Sequence, residues 1–151
     1  MNHTEGTMDV RSKVYTYHTT VKWTEQKKGV IACDGKPEIQ VATPPEFKGH
    51  EGIWSPEDLY VAAANICLMT TFLAVAERAG LAFASYQSEA EGRLELVDGK
   101  FQVTVITLRP RITLQAGGDA AKAKELIEKA EANCLISNSM KTSVTLEPTI
   151  L

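Results

Sequence analysis

Residues 55–80 read Ser55-Pro56-Glu57-Asp58-Leu59-Tyr60 followed by VAAANICLMTTFLAVAERAG, which closes on Gly80. A serine that can cap, a proline suited to the first helical position and two carboxylates at the positive end of a helix dipole make Ser55 to Asp58 a helix start. Gly80 supplies the stop, because glycine accepts the left-handed backbone that ends many helices. Between these signals Leu59, Val61, Ile66, Leu68, Met69, Phe72, Leu73 and Val75 spread around most of the helix circumference. A helix apolar on so many sides is expected to be buried centrally. Asn65, Thr70 and Thr71 interrupt it and Glu57, Asp58 and Glu77 bound it, so a core helix accounts for it better than a membrane span.

Upstream, Lys13 to Trp23 alternates Tyr15, Tyr17, Thr19, Val21 and Trp23 with polar residues, the period-2 pattern of a half-buried strand. Gly29 to Cys33 reads as a second strand, Asp34-Gly35 as a tight hairpin turn and Glu38 to Thr43 as a third strand. Pro44-Pro45 ends the pairing, since proline supplies no ladder donor. Downstream, Tyr86 to Val97 and Phe101 to Leu114 read as strands joined by Asp98-Gly99, a two-residue hairpin signal. Pro110 is expected at a bulge or an edge. Gly117-Gly118-Asp119 leads into a second helix over Ala120 to Leu135, with Lys122, Lys124, Glu125, Glu128, Lys129 and Glu131 as its solvated face. A last strand is expected over Ser143 to Ile150. The order predicts an α+β domain over residues 1–151, with 1–12 as a flexible tail.

Composition narrows the function. Apolar residues are 44% and charged residues 23% of 151, and the formal charge is -3 with no basic run longer than Lys27-Lys28. Such a balance points away from nucleic acid. Met1 to Val10 lacks a charged-then-apolar pattern, so a cytoplasmic location is expected. His3, His18 and His50 have no metal-ligand spacing, so no metal or cofactor is called for. Cys33, Cys67 and Cys134 are too few for a secreted disulfide framework, and a disulfide between any two in the cytosol is expected to be transient and functional.

Cys67 lies on the long helix, flanked at helical spacing by Tyr60, Ala63, Ala64, Thr70, Thr71, Ala74 and Arg78, mostly small residues that let another element approach. Cys134 shares the apolar stripe of the second helix with Ala123, Ile127 and Ala130. Both thiols are expected in packed interior, where two buried cysteines are by themselves unremarkable.

The run Trp54-Ser55-Pro56-Glu57-Asp58-Leu59-Tyr60-Val61-Ala62-Ala63-Ala64-Asn65-Ile66-Cys67 resembles the first cysteine-bearing helix of the OsmC/Ohr family of osmotically inducible and organic-hydroperoxide-resistance proteins. Ala130-Glu131-Ala132-Asn133-Cys134-Leu135-Ile136-Ser137-Asn138-Ser139 resembles the family's second motif, a helix-borne cysteine followed by serine. The resemblance implies an OsmC-like fold, with antiparallel sheets around a long central helix, in an intertwined homodimer. It further implies a thiol-dependent peroxidase in which Cys67 is oxidised by a hydroperoxide, Cys134 resolves it as a disulfide, and Glu57 belongs to the polar network beside them. An external dithiol, with lipoylated protein as one candidate, would restore the pair.

Two features sit apart from that pattern. Ten residues of straight helix span about 15 Å, so Glu57 reaches Cys67 only if the helix breaks or the two meet by another route, such as across a dimer. The family's arginine in the first hairpin is replaced by Gln26, followed by Lys27 and Lys28. Burial alone raises a thiol pKa and a nearby cation lowers it, which makes Lys27, Lys28, Arg109 and Arg111 the candidates to replace the arginine. Cys33, before a hairpin turn, has little to recommend it for redox chemistry. Tyr60, Met69 and Phe72 near Cys67 favour an organic hydroperoxide. The alternatives are an acyl-thioester hydrolase using Glu57, and a dimeric binder of apolar ligands with inert thiols.

Overall fold

The computed structural model describes residues 13–151; the expected tail over 1–12, with His3, lies outside them. The chain divides between Trp54 and Ser55 into two compact units.

The first unit is an antiparallel meander in the order β1 (Thr20–Glu25), β2 (Lys28–Ala32) and β3 (Ile39–Ala42). The expected strand from Lys13 starts only at Thr20, because the pairing begins with Thr20 opposite Ala32, the end of β2, and earlier residues have no partner there. Asp34-Gly35 does turn the chain, with Gly35 at φ 76° and Lys36 N–H on the Cys33 carbonyl at 3.1 Å. The turn opens a longer loop, since Ile31 is already opposite Ile39. Pairing stops before Pro44, and a single 3-10 turn follows at Pro45–Phe47.

In the second unit α1 (Pro56–Ala79) begins and ends as its sequence dictates. Ser55 Oγ accepts from Asp58 N–H at 3.1 Å while Asp58 Oδ2 accepts from Ser55 N–H at 3.0 Å, a reciprocal cap. Gly80 takes a left-handed φ of 68° and returns its N–H to the last turn. The hairpin β4 (Phe83–Val97) and β5 (Lys100–Leu114) turns on Asp98 and Gly99, at φ 49° and 78°, the backbone that matches the twist of paired strands.

The expected last strand is two short ones, β6 (Ser143–Leu146) and β7 (Thr149–Ile150), interrupted at Glu147-Pro148. Both pair parallel to β5, so the sheet is mixed and not wholly antiparallel. Pro110 is accordingly neither at an edge nor at a bulge: β5 is central, and Pro110 is in regular register with Ser88. The carbonyls of Leu108 and Ile112 accept from Glu147 and Leu151 on the β6/β7 side. Pro110, midway between them, thus presents its missing donor to the gap between β6 and β7, outside both parallel ladders.

Past the bulge opposite Arg93 and Leu94, the even-numbered residues of β5 face the core. Ile106, Leu108 and Ile112 pack with Leu68, Phe72 and Val75 of α1 and with Leu126, Ile127 and Ala130 of α2 (Ala120–Ala132); each large side chain so buried contributes roughly 1.5–3 kcal/mol. At Gly92 of β4 an added Cβ would collide with the Val61 side chain, so the missing side chain sets how closely α1 approaches the sheet. The central burial expected of α1 is met on one side only. Within the chain Ile66 and Leu73 remain 56% and 40% exposed.

Candidate active site

The second helix does not carry Cys134 in its body, as its periodicity suggested. α2 ends at Ala132, and Cys134 is the N-terminal cap of a separate short helix, α3 (Leu135–Ser139). The break comes where Asn133 turns its own side chain back, its Nδ2 donating to the Lys129 carbonyl at 2.8 Å, an alternative to continuing the helix. The consequence is chemical. A cysteine at the start of α3 is followed by backbone N–H groups with no intrahelical acceptor.

Cys67 faces this junction from α1. It is 7% exposed and Cys134 is fully buried, and both thiols are free. Burial pushes the Cys67 thiol up, but hydrogen bonds from the Cys134 thiol, the Ile136 and Leu135 N–H groups and the Thr71 hydroxyl outweigh it and leave its pKa below the ordinary value. The Thr71 hydroxyl lies 3.9 Å from the Cys67 sulfur. Cys134 moves the other way. Burial raises it, hydrogen bonding to Ser137 lowers it less, and its bond to Cys67 and the Cys67 charge add to the rise. The pair is therefore polarised, with Cys67 the better anion and Cys134 the proton donor to it.

Of the four cationic substitutes anticipated for the missing arginine, three have partners of their own. Lys27 donates to the Lys48 carbonyl at 2.9 Å, and Lys28 stands 4.0 Å from Glu25. Arg109 binds Glu147 at 3.0 Å and faces Glu91 at 3.7 Å. Arg109 and Arg111, odd-numbered on β5, project from the sheet face opposite Cys67, where with Gln87, Glu89, Glu147, Pro148 and Thr149 they line a cleft of about 340 Å³. Gln26 occupies the β1–β2 turn with a left-handed φ of 49°. Within the second unit, backbone N–H groups and neighbouring hydroxyl and thiol donors do the work assigned to a cation.

Glu57 and Cys67 are not brought together in the chain: α1 is unbroken between them, which removes the broken-helix route. Glu57 Oε2 is nevertheless buried with no hydrogen-bond partner. Of the apolar neighbours anticipated for Cys67, Phe72 lies in the core, its ring 5.4 Å from those of Phe83 and Tyr86, and Tyr60 donates to Thr142 Oγ1 at 2.6 Å, whose hydroxyl continues to the Val103 carbonyl. Among the described residues no three His, Cys, Asp or Glu side chains are grouped to hold a metal ion.

Sequence reasoning missed a polar cluster beside Cys134. Tyr86 OH, Ser88 Oγ, Glu131 Oε2 and Ser137 Oγ are buried without completing a hydrogen bond of good geometry. Burial drives the Tyr86 pKa up to about 12, and burial likewise raises Glu131, with the Ser137 hydroxyl countering in part. Glu131 had been assigned to the solvated face of α2. The correcting signal is its position four residues after Ile127 and three before Cys134, which places it at the margin of the apolar stripe.

Known proteins resemble this chain in sequence and fold. The family model for OsmC-like protein matches residues 49–149. The uncharacterized protein YmaD of Bacillus subtilis is 32% identical over 110 residues, 71% of this chain and 73% of its own. Peroxiredoxin OsmC of Escherichia coli is 32% identical over 101 residues, 67% of this chain and 69% of its own. A solved OsmC-like protein of unknown function from Vibrio cholerae superposes with a TM-score of 0.82 at 25% identity, over 89% of this chain and 99% of that one. By family model, sequence and fold alike, the chain belongs to the OsmC/Ohr family of OsmC-like proteins.

Proposed function

We propose that the protein is a thiol-dependent peroxidase that reduces organic hydroperoxides through a Cys67 sulfenic acid and a Cys67–Cys134 disulfide. The observation that carries this reading is the hydrogen-bonded, oppositely shifted pair of buried thiols. Cys67 thiolate attacks the outer oxygen of the hydroperoxide; the O–O bond breaks, the alkoxide leaves and is protonated to an alcohol, and Cys67 becomes a sulfenic acid. Cys134 sulfur then attacks Cys67 sulfur, the S–O bond breaks, and water leaves. An external dithiol, free or carried as lipoamide on a protein, reduces the disulfide by two successive exchanges. The name peroxiredoxin, borne by the Escherichia coli relative, agrees with this chemistry.

The working unit in this proposal is a homodimer. Ile66 and Leu73 on α1 are exposed beside a core helix, and Val21 and Trp23 on β1 are 73% and 72% exposed, apolar surface of the kind a partner covers. A second copy also offers Glu57 Oε2 the partner it lacks in its own chain. The acyl-thioester hydrolase reading is less well supported, because it leaves the Cys67–Cys134 pair without a purpose and puts Glu57 about 15 Å along α1 from the thiol. The test is peroxide consumption by variants. Cys67→Ser should abolish it, Cys134→Ser should accumulate a sulfenic acid trapped by dimedone, and Cys33→Ser should change neither; turnover surviving in Cys67→Ser overturns the proposal.

A further inference from the structure

The second step of this cycle has a proton to move, and the buried cluster around Cys134 supplies a path. Cys134 begins as a thiol with 0% exposure, so water does not reach its proton directly. Ser137, one turn into α3, lies close enough to influence both Cys134 and Glu131. Glu131 stands at the end of α2 in the same turn that delivers the Cys134 N–H to the Glu131 carbonyl at 3.2 Å. The inner oxygen of its carboxylate and the Ser137 hydroxyl are both buried with uncommitted hydrogen-bonding capacity. Buried polar atoms left unsatisfied are costly, and where they persist they call for an explanation.

We propose that Glu131 accepts the Cys134 proton, relayed by the Ser137 hydroxyl, as Cys134 attacks the Cys67 sulfenic acid. The inference rests on the peroxidase reading and concerns its resolving step alone. In that step the Cys134 S–H bond breaks, its proton passes to the Ser137 oxygen and the Ser137 proton to the Glu131 carboxylate. The S–S bond forms as the S–O bond of Cys67 breaks, and the departing hydroxide takes the proton back from Glu131 to leave as water. Electrons balance within the two sulfurs, and no outside reductant is consumed. A carboxylate whose affinity for a proton is raised by burial is a better match to a thiol than an exposed one. The titratable groups around Cys134 are Cys67 on α1, Tyr86 on β4 and Glu131 on α2; Tyr86, held neutral to about 12, does not compete as a base near neutral pH.

The experiment is rapid-quench mass spectrometry of the full chain mixed with tert-butyl hydroperoxide. It follows Cys67 oxidation, whose rate scales with peroxide, and disulfide closure, whose rate does not. Glu131→Gln should leave the first phase unchanged and slow the second by about a hundredfold, the low end of general-base effects, with loss of its rise with pH. Ser137→Ala should reproduce the slow closure, and Glu131→Asp should restore part of it. Should Glu131→Gln misfold, Ser137→Ala decides the matter by the same two phases. Closure at the wild-type rate and pH profile in a folded Glu131→Gln or Ser137→Ala protein overturns the relay while leaving the peroxidase intact. Absence of any oxidised Cys67 in the wild type removes the peroxidase reading, and the relay with it.

Discussion

The Cys134 thiol hydrogen-bonds to Cys67, and the two side chains titrate on opposite sides of the ordinary cysteine value of 9.0, Cys67 below and Cys134 above. The first prediction tests which donors hold Cys67 down. Thiolate absorbance followed against pH should give Cys67 a midpoint below 9.0 in Cys134→Ser, where a hydroxyl still donates, and a higher one in Cys134→Ala. Thr71→Ala should raise it less, as Thr71 ranks below Cys134 and the Ile136 N–H among the stabilising contacts. An equal midpoint in Cys134→Ser and Cys134→Ala would show that the Cys134 hydrogen bond contributes nothing.

Tyr86 gives a prediction in stability. Its folded pKa is raised to about 12 from 10.0, so the unfolded chain releases this proton first as pH rises. The contribution is fully present below pH 10 and is lost as pH climbs toward 12. Denaturant unfolding between pH 9 and pH 12 should therefore lose stability in the wild type and lose less in Tyr86→Phe, which also retains the stacking on Phe72. Parallel curves for the two proteins would place the Tyr86 hydroxyl in water.

Close approach at Gly92 predicts a packing defect. Gly92→Val must displace the Val61 side chain on α1, and overpacking of this kind costs typically 1–3 kcal/mol. Chemical denaturation should show that loss, and Val61→Ala should recover part of it in the double variant. Additive effects of the two substitutions would argue that they do not touch.

The exposed apolar side of α1 predicts association. Analytical ultracentrifugation should find the mass of two chains, and Leu73→Glu, which puts a charge where 40% exposure now leaves an apolar side chain, should shift the protein toward one. A wild-type monomer at micromolar concentration would remove the dimer from the account.

Much of this was legible in local chemistry. Ser55-Pro56 and Gly80 set the ends of α1 within the chain itself, and Asp98-Gly99 specifies its own hairpin, because capping and turn formation need only neighbouring residues. The parallel pairing of β6 and β7 was not legible, since strand direction depends on where α2 and α3 deliver the chain and not on the strand's own pattern. The same holds for Lys13 to Thr19, which alternates like a strand but has no β2 residue to pair with. At the site, Cys67 and Cys134 stood out through their motifs, whereas the anion-stabilising groups did not. Backbone N–H donors leave no mark on residue identity, and they become available only because the helix breaks at Asn133. Glu131 was hidden for a different reason: a charged residue at the margin of an apolar stripe looks solvated until a second element covers it.

The central claim is that the Cys67 and Cys134 sulfurs join when one is oxidised. The direct measurement is a mass-spectrometric map of disulfides before and after one equivalent of an organic hydroperoxide. The account predicts free thiols before, and afterwards a Cys67–Cys134 cross-link with Cys33 still reduced. Persistence of both thiols after the peroxide, or a cross-link that runs instead through Cys33, would contradict it.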